Sequence, residues 1–166
     1  TVMIEGDSAT LTLEGDGITF GVGLIKDGDE WKADRLFVPN DDIPSGTEVV
    51  EIGLAEFAFN GDLESPAVTS GDFAFHVTNE GQQPHELVLV ALPEGRPIEE
   101  LVQDESFQPE PILVRTTYEP GDESDVALPA PLEPGRYGLV CFLPDTDDPE
   151  GTPHAFKGMV AEFTVE

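Results

Sequence analysis

The sequence predicts an all-β protein: a Greek-key two-sheet β-sandwich with an N-terminal β-meander extension. Two observations carry this expectation. Apolar residues fall in short runs of period two, as in Phe73, Phe75 and Val77, which puts three large side chains on one face of a strand. The runs are punctuated by 17 Gly and 15 Pro, residues that mark turns and interrupt helices. No apolar run reaches about 18 residues, so no membrane span is expected in this chain.

Val2 to Ile4, Ala9 to Leu13, Ile18 to Ile25 and Trp31 to Val38 are the expected strands of residues 1–38, broken by Gly-Asp pairs. Asp27-Gly28 suits a tight hairpin turn. A meander of about 40 residues cannot bury a stable core alone. It must pack on the rest of the chain or pair with another subunit, so a homo-oligomer through these strands is one expectation. Trp31, the single tryptophan, is expected to anchor it.

Residues 39–47 (PNDDIPSGT) have linker composition, and residues 48–166 form the expected main domain. Val49, Ile52, Leu54, Phe57 and Phe59 open it. The alternating run at Phe73 follows, then the turn Asn79-Glu80-Gly81 and the continuous apolar run Leu87 to Leu92. Residues 97–103 (PIEELVQ) begin with Pro and two early Glu and predict one short helix, with loop over 104–111. Ile112 to Val114, Val126 to Leu128, Arg136 to Leu143 and Met159 to Val165 supply the remaining strands, and such a series suggests two packed sheets.

Charge narrows the function. The 35 Asp and Glu against 7 Lys and Arg give a net −28, which leaves no basic footprint for nucleic acid. So much like charge repels itself in dilute buffer. In molar salt the Debye length falls to about 3 Å and the repulsion fades. With only Lys26, Lys32 and Lys157, the composition resembles that of extreme halophiles. A highly soluble acidic extracellular protein is the other reading.

The chemistry-bearing residues are few. The one cysteine excludes an internal disulfide. Alternation along Tyr137-Gly-Leu-Val-Cys141 turns Cys141 inward, where burial raises a thiol pKa unless a metal holds the thiolate. His154 and Met159, spaced H-x4-M, can be offered to one point by a folded-back loop, and His85 opens the apolar strand after Pro84. A soft thiolate, two imidazoles and a weak thioether are the donors that hold copper in electron-transfer sites, which points to a redox protein rather than a hydrolase. Each residue alone has a metal-free explanation, and a Cys/His zinc site is a further alternative, although a Met donor favours copper. Asp145, Asp147, Asp148 and Glu150 cluster without EF-hand spacing and read as a hydrated loop rather than a calcium site. His76 alternates away from its apolar neighbours and is expected on the solvent face without a function.

Four motifs occur in order: Phe75-His-Val-Thr-Asn-Glu-Gly81, Pro84-His-Glu-Leu-Val-Leu89, Leu132-Glu-Pro-Gly-Arg-Tyr137, and Cys141…His154…Gly158-Met159. Through them residues 48–166 resemble the cupredoxins, the blue copper family that includes plastocyanin, azurin and halocyanin. The resemblance implies a type 1 copper protein, one Cu ion cycling between Cu(I) and Cu(II), acting as a one-electron carrier and not an enzyme. It implies His85, Cys141 and His154 as equatorial ligands and Met159 as the long axial one. A partly exposed His154, rimmed by Phe142, Pro153, Ala155 and Phe156, would be the electron's exit towards a redox partner protein that the sequence does not name. An extracellular or cell-envelope location is also implied, with a lipid or membrane tether upstream of residue 1 as one form of it. Residues 28–34 resemble, in addition, the closing strands of nuclear-transport-factor-like domains, which implies further chain upstream.

One departure stands out: Cys141 and His154 enclose twelve residues (FLPDTDDPEGTP) where plastocyanin-like proteins have only a few. Lengthening a loop costs only about 0.6 kcal/mol per doubling, so His154 can still be delivered. The acidic content should favour Cu(II) and lower the potential. A multicopper oxidase or nitrite reductase needs more histidines than the three present, and a binuclear site needs a second bridging Cys. The competing reading is a cupredoxin-fold interaction or assembly module in which copper is absent or incidental.

Overall fold

The computed structural model describes residues 1–15 and 18–166. The strands are β1 (Val2–Glu5), β2 (Ser8–Gly15), β3 (Ile18–Asp27), β4 (Glu30–Phe37), β5 (Glu48–Ala55) and β6 (Ala58–Asn60), then β7 (Phe73–Asn79), β8 (His85–Leu92), β9 (Pro111–Tyr118), β10 (Glu123–Ala127), β11 (Gly135–Val140) and β12 (Val160–Val165). Two short helices, α1 (Pro66–Ser70) and α2 (Ile98–Leu101), and a 3-10 turn at His154–Lys157 complete the elements. Among the described residues the strands make two sheets, one ordered β1-β2-β3-β9-β8-β11-β12 with β4 also on β3, the other β10-β7-β5-β6. The chain is the all-β two-sheet sandwich that its sequence predicts. The break expected between β2 and β3 falls at residues 16 and 17, outside the described residues.

The main core lies between the sheets. Phe73, Phe75 and Val77 from β7 meet Leu87 and Leu89 from β8 and Leu139 from β11, all buried. Phe73 packs edge-on to Phe75 at 5.0 Å, and Tyr137 stacks on Phe163 at 5.6 Å. Each such side chain contributes roughly 1.5–3 kcal/mol on burial. The apolar run of β8 is continuous because both of its faces are covered. Val88, Val90 and Leu92 point the other way into a second cluster closed by Ile98, Leu101 and Val102 on and just after α2. The short helix read from PIEELVQ is thus the lid of that second core. Helix α1 escaped the sequence reading, although Ser65 caps Val68 N–H and Pro66 sits in the first turn.

The extension joins the larger sheet. β3 pairs in parallel with β9 at Ile18 and Thr19, then runs antiparallel to β4 from Gly21 onward. Residues 39–47 form no strand, but Asn40 and Asp41 bind β10 of the second sheet and Arg115 on β9 of the larger one. Asn40 Oδ1 accepts from Asp125 N–H at 2.7 Å, and Asp41 Oδ2 accepts from Arg115 Nη2 at 2.8 Å and from Ala127 N–H at 3.0 Å. Trp31 does not anchor the extension: it is 40% exposed on β4, where every residue but Phe37 is exposed. Val2, Met3 and Ile4 on the edge strand β1 are exposed as well. His76 is half-buried and bonds Asp125 across β7 and β10 at 2.8 Å, which raises its pKa chiefly through that hydrogen bond.

Candidate metal centre

Three elements meet at one end of the sandwich. His85 is the first residue of β8, Cys141 follows β11 directly, and His154 opens the 3-10 turn that precedes β12. β11 lies between β8 and β12, so these segments are neighbours by sheet order. Backbone bonds then fix the returning loop. Ala155 N–H donates to Cys141 O at 2.8 Å, His154 N–H to Leu143 O at 2.9 Å, and Cys141 N–H to Met159 O at 3.3 Å.

The side chains converge. His85 Nδ1 lies 3.1 Å from His154 Nδ1, which in turn lies 3.5 Å from Cys141 Sγ. One donor atom from each of the three lies within 4.8 Å of the other two, and all three residues are buried. Bonds of about 2.0 Å to nitrogen and about 2.3 Å to sulfur at roughly tetrahedral angles put donors about 3.3–3.5 Å apart. The residues present therefore fit a single soft ion. Burial pushes both histidine pKa values down, with the neighbouring imidazole adding to the effect at His85, so both rings are neutral donors. Burial also pushes the Cys141 thiol up to about 12 against the opposing Glu86 N–H, so only a cation in its place would remove the proton at neutral pH.

Met159 is fully buried in the same core cluster as Cys141, and its N–H donates to His154 O at 3.0 Å. His154 departs from expectation. It is fully buried, not partly exposed, because Phe57 stands edge-on over its ring at 5.4 Å. Of the rim residues, Phe142 and Phe156 are exposed whereas Ala155 is buried.

The long acidic loop is ordered by a single cation. Lys157 Nζ bonds Asp145 and, at 2.9 Å, Asp148, and it sits 5.6 Å over the Phe57 ring. The lysine holds the Asp145 carboxyl down at about 2. These carboxylates close on an ammonium group rather than forming an oxygen cage. Gln83 ties the same loop to the approach to His85: its Nε2 donates to Asp145 Oδ1 at 2.9 Å and its Oε1 accepts from Thr146 N–H at 2.7 Å.

Sequence reasoning missed three supporting groups. Asn79, noted as a turn residue and part of a motif but given no contact, donates from Nδ2 to Gln83 O and Tyr118 O, both at 2.8 Å, and accepts from Gly81 N–H at 2.9 Å. Asn79→Ala strands these buried partners at about 1–3 kcal/mol each. The expected loss is about 3 kcal/mol or more of stability in urea unfolding. The other two are Glu56 and Phe57, the two-residue turn between β5 and β6. Glu56 Oε1 lies 3.6 Å from His85 Nε2 and accepts from Gln82 and Gln83 N–H. Burial raises the Glu56 pKa, but the backbone donors and His85 outweigh it and the net shift is downward.

No protein-family model matches the chain, and no curated protein sequence does. Solved structures do. The chain is similar to auracyanins. The dithionite-reduced auracyanin of the photosynthetic bacterium Roseiflexus castenholzii is 24% identical, over 74% of this chain and 99% of that one, with a TM-score of 0.46. Auracyanin B is 18% identical over 78% of this chain and 94% of that one, with a TM-score of 0.47. A multicopper oxidase of the hyperthermophile Aquifex aeolicus is 13% identical over 84% of this chain but 34% of its own, with a TM-score of 0.34. Auracyanins are cupredoxins, the family that the sequence motifs resemble.

Proposed function

We propose that this chain is a mononuclear copper protein that carries single electrons, with His85, Cys141 and His154 as equatorial ligands and Met159 as the axial one. The convergence of two neutral imidazoles and one thiol in a buried pocket is the observation that carries the proposal. A bound copper ion would supply a one-electron Cu(I)/Cu(II) couple. The chain supplies a fixed frame. Glu86 N–H donates to Cys141 Sγ at 3.5 Å, and the Glu86 carboxylate accepts from Phe142 N–H at 2.8 Å, so the sulfur is pinned from two strands. Burial by Phe57 and the core excludes water from the donors, and donors that cannot rearrange keep the cost of an electron transfer small.

With His154 covered, the exposed rings of Phe142 and Phe156 become the surface through which an electron leaves towards a partner protein. We place this carrier outside the cytoplasm on the strength of the cupredoxin resemblance. A copper enzyme is disfavoured because the chain's third histidine, His76, bonds Asp125 on the other sheet. The exposed strand β1 favours a second reading, an assembly module that pairs through its N-terminal strands. One equivalent of Cu(II) separates the two. The carrier develops an intense visible band that one added electron bleaches and removal of that electron by an oxidant restores; a colourless protein that binds no copper supports the assembly module.

A further inference from the structure

We propose that Glu56 is a positioning residue for His85, holding the imidazole in the tautomer protonated at Nε2 so that Nδ1 keeps its lone pair towards Cys141 and His154. His85 Nε2 is buried and has no hydrogen-bond partner, yet Glu56 Oε1 stands 3.6 Å away. An N–H at Nε2 faces a carboxylate there, whereas a lone pair at the same atom would face negative charge. The neutral ring carries one proton, so placing it at Nε2 frees Nδ1.

Two independent features show that the approach is built. The same Oε1 accepts from the backbone N–H groups of Gln82 at 2.5 Å and Gln83 at 3.0 Å, so the carboxylate is held by the loop that delivers His85. Gly81 leaves the gap between the two groups open. A Cβ at that position would lie 2.6 Å from Glu56 Oε1 and 2.9 Å from His85 Nε2. The turn that presents Glu56 also carries a strained residue, since Phe57 has φ of 66° where glycine is usual. One two-residue turn thus attends both histidines, Glu56 at His85 and Phe57 over His154.

A carboxylate behind a ligating imidazole makes it a stronger donor and favours the higher-charged ion. That consequence rests on the copper reading above; the tautomer does not. The test uses Glu56→Ala, which removes the oxygen facing Nε2, because the amide oxygen of a Gln would stay in place beside it. Nitrogen-15 NMR of the metal-free protein is expected to show His85 protonated at Nε2 in the wild type and to lose that preference in the variant, with His76 unchanged. In the copper-loaded protein, Cu(II) affinity is expected to fall about 10-fold relative to Cu(I), a rise in potential of about 59 mV for one electron. Should the variant not fold, Gly81→Ala interposes a methyl group and makes the same NMR test. An unchanged His85 tautomer in a folded variant would overturn the proposal. A wild type that binds no copper would remove the function proposed above and leave the tautomer result intact.

Discussion

Cys141→Ala is expected to abolish the visible copper band entirely and to weaken copper binding by more than the roughly 10–100-fold that loss of an outer partner costs. The thiolate is the only soft anionic donor in the centre, and nothing among the described residues can replace it. Two neutral imidazoles with Nδ1 atoms 3.1 Å apart remain beside the Met159 thioether, and imidazoles discriminate poorly between copper and zinc. The fold should persist, because the substitution removes one atom from a core held by Phe73, Phe75, Leu87, Leu89 and Leu139. A loss of about 1 kcal/mol is expected from the small cavity. Copper titration followed by absorption, with unfolding measured in parallel, separates a lost ligand from a lost fold. His76→Ala is the control and should leave copper binding unchanged, since that ring bonds Asp125 on the other sheet.

Stability is expected to climb steeply with salt. The net charge of −28 is spread over a chain with only 7 Lys and Arg. Several of these cations are already committed locally, Lys157 to Asp145 and Asp148, Arg115 to Asp41, Arg136 to Glu162 and Arg96 to Asp104. The 35 carboxylates therefore far outnumber the cations that could neutralise them. Raising ionic strength from 0.01 M to 1 M shortens the Debye length from about 30 Å to about 3 Å. We expect the melting temperature to rise by about 5–10 °C over that range, from ~2–3 kcal/mol of relieved repulsion at about 2–4 °C per kcal/mol. Sodium and potassium chloride should act alike if screening is the cause. A flat melting temperature would remove both the repulsion argument and the salt-adapted reading of the composition.

The parts of the fold legible in the sequence are those set by local periodicity. Phe73, Phe75 and Val77 alternate because one face of β7 is core, and Leu87 to Leu92 runs unbroken because β8 is covered on both sides. Strand ends were less legible. β9 extends to Tyr118, well past the apolar triplet that marked it, because Arg115 pairs with Asp41 and Tyr118 bonds Ser124 at 2.8 Å in the interior. The three strongest donors were legible from residue type and order, and the structure brings their atoms together.

What surrounds them was not legible, because it depends on contacts distant in sequence. The burial of His154 comes from Phe57, brought there by the parallel pairing of β5 with β7. The acidic loop was expected to favour Cu(II) and lower the potential through its charge, yet Lys157 gathers Asp145 and Asp148 into one ion-paired knot. Trp31 misled for the opposite reason. A lone large aromatic suggests an anchor, but β4 borders β3 with every residue except Phe37 exposed, Trp31 among them.

X-ray absorption at the copper edge of the loaded protein reads the ligand atoms themselves. One short sulfur neighbour and two imidazole nitrogens at about 2 Å are expected around a single ion. A first shell of oxygen and nitrogen alone, without that sulfur, would contradict the proposed centre.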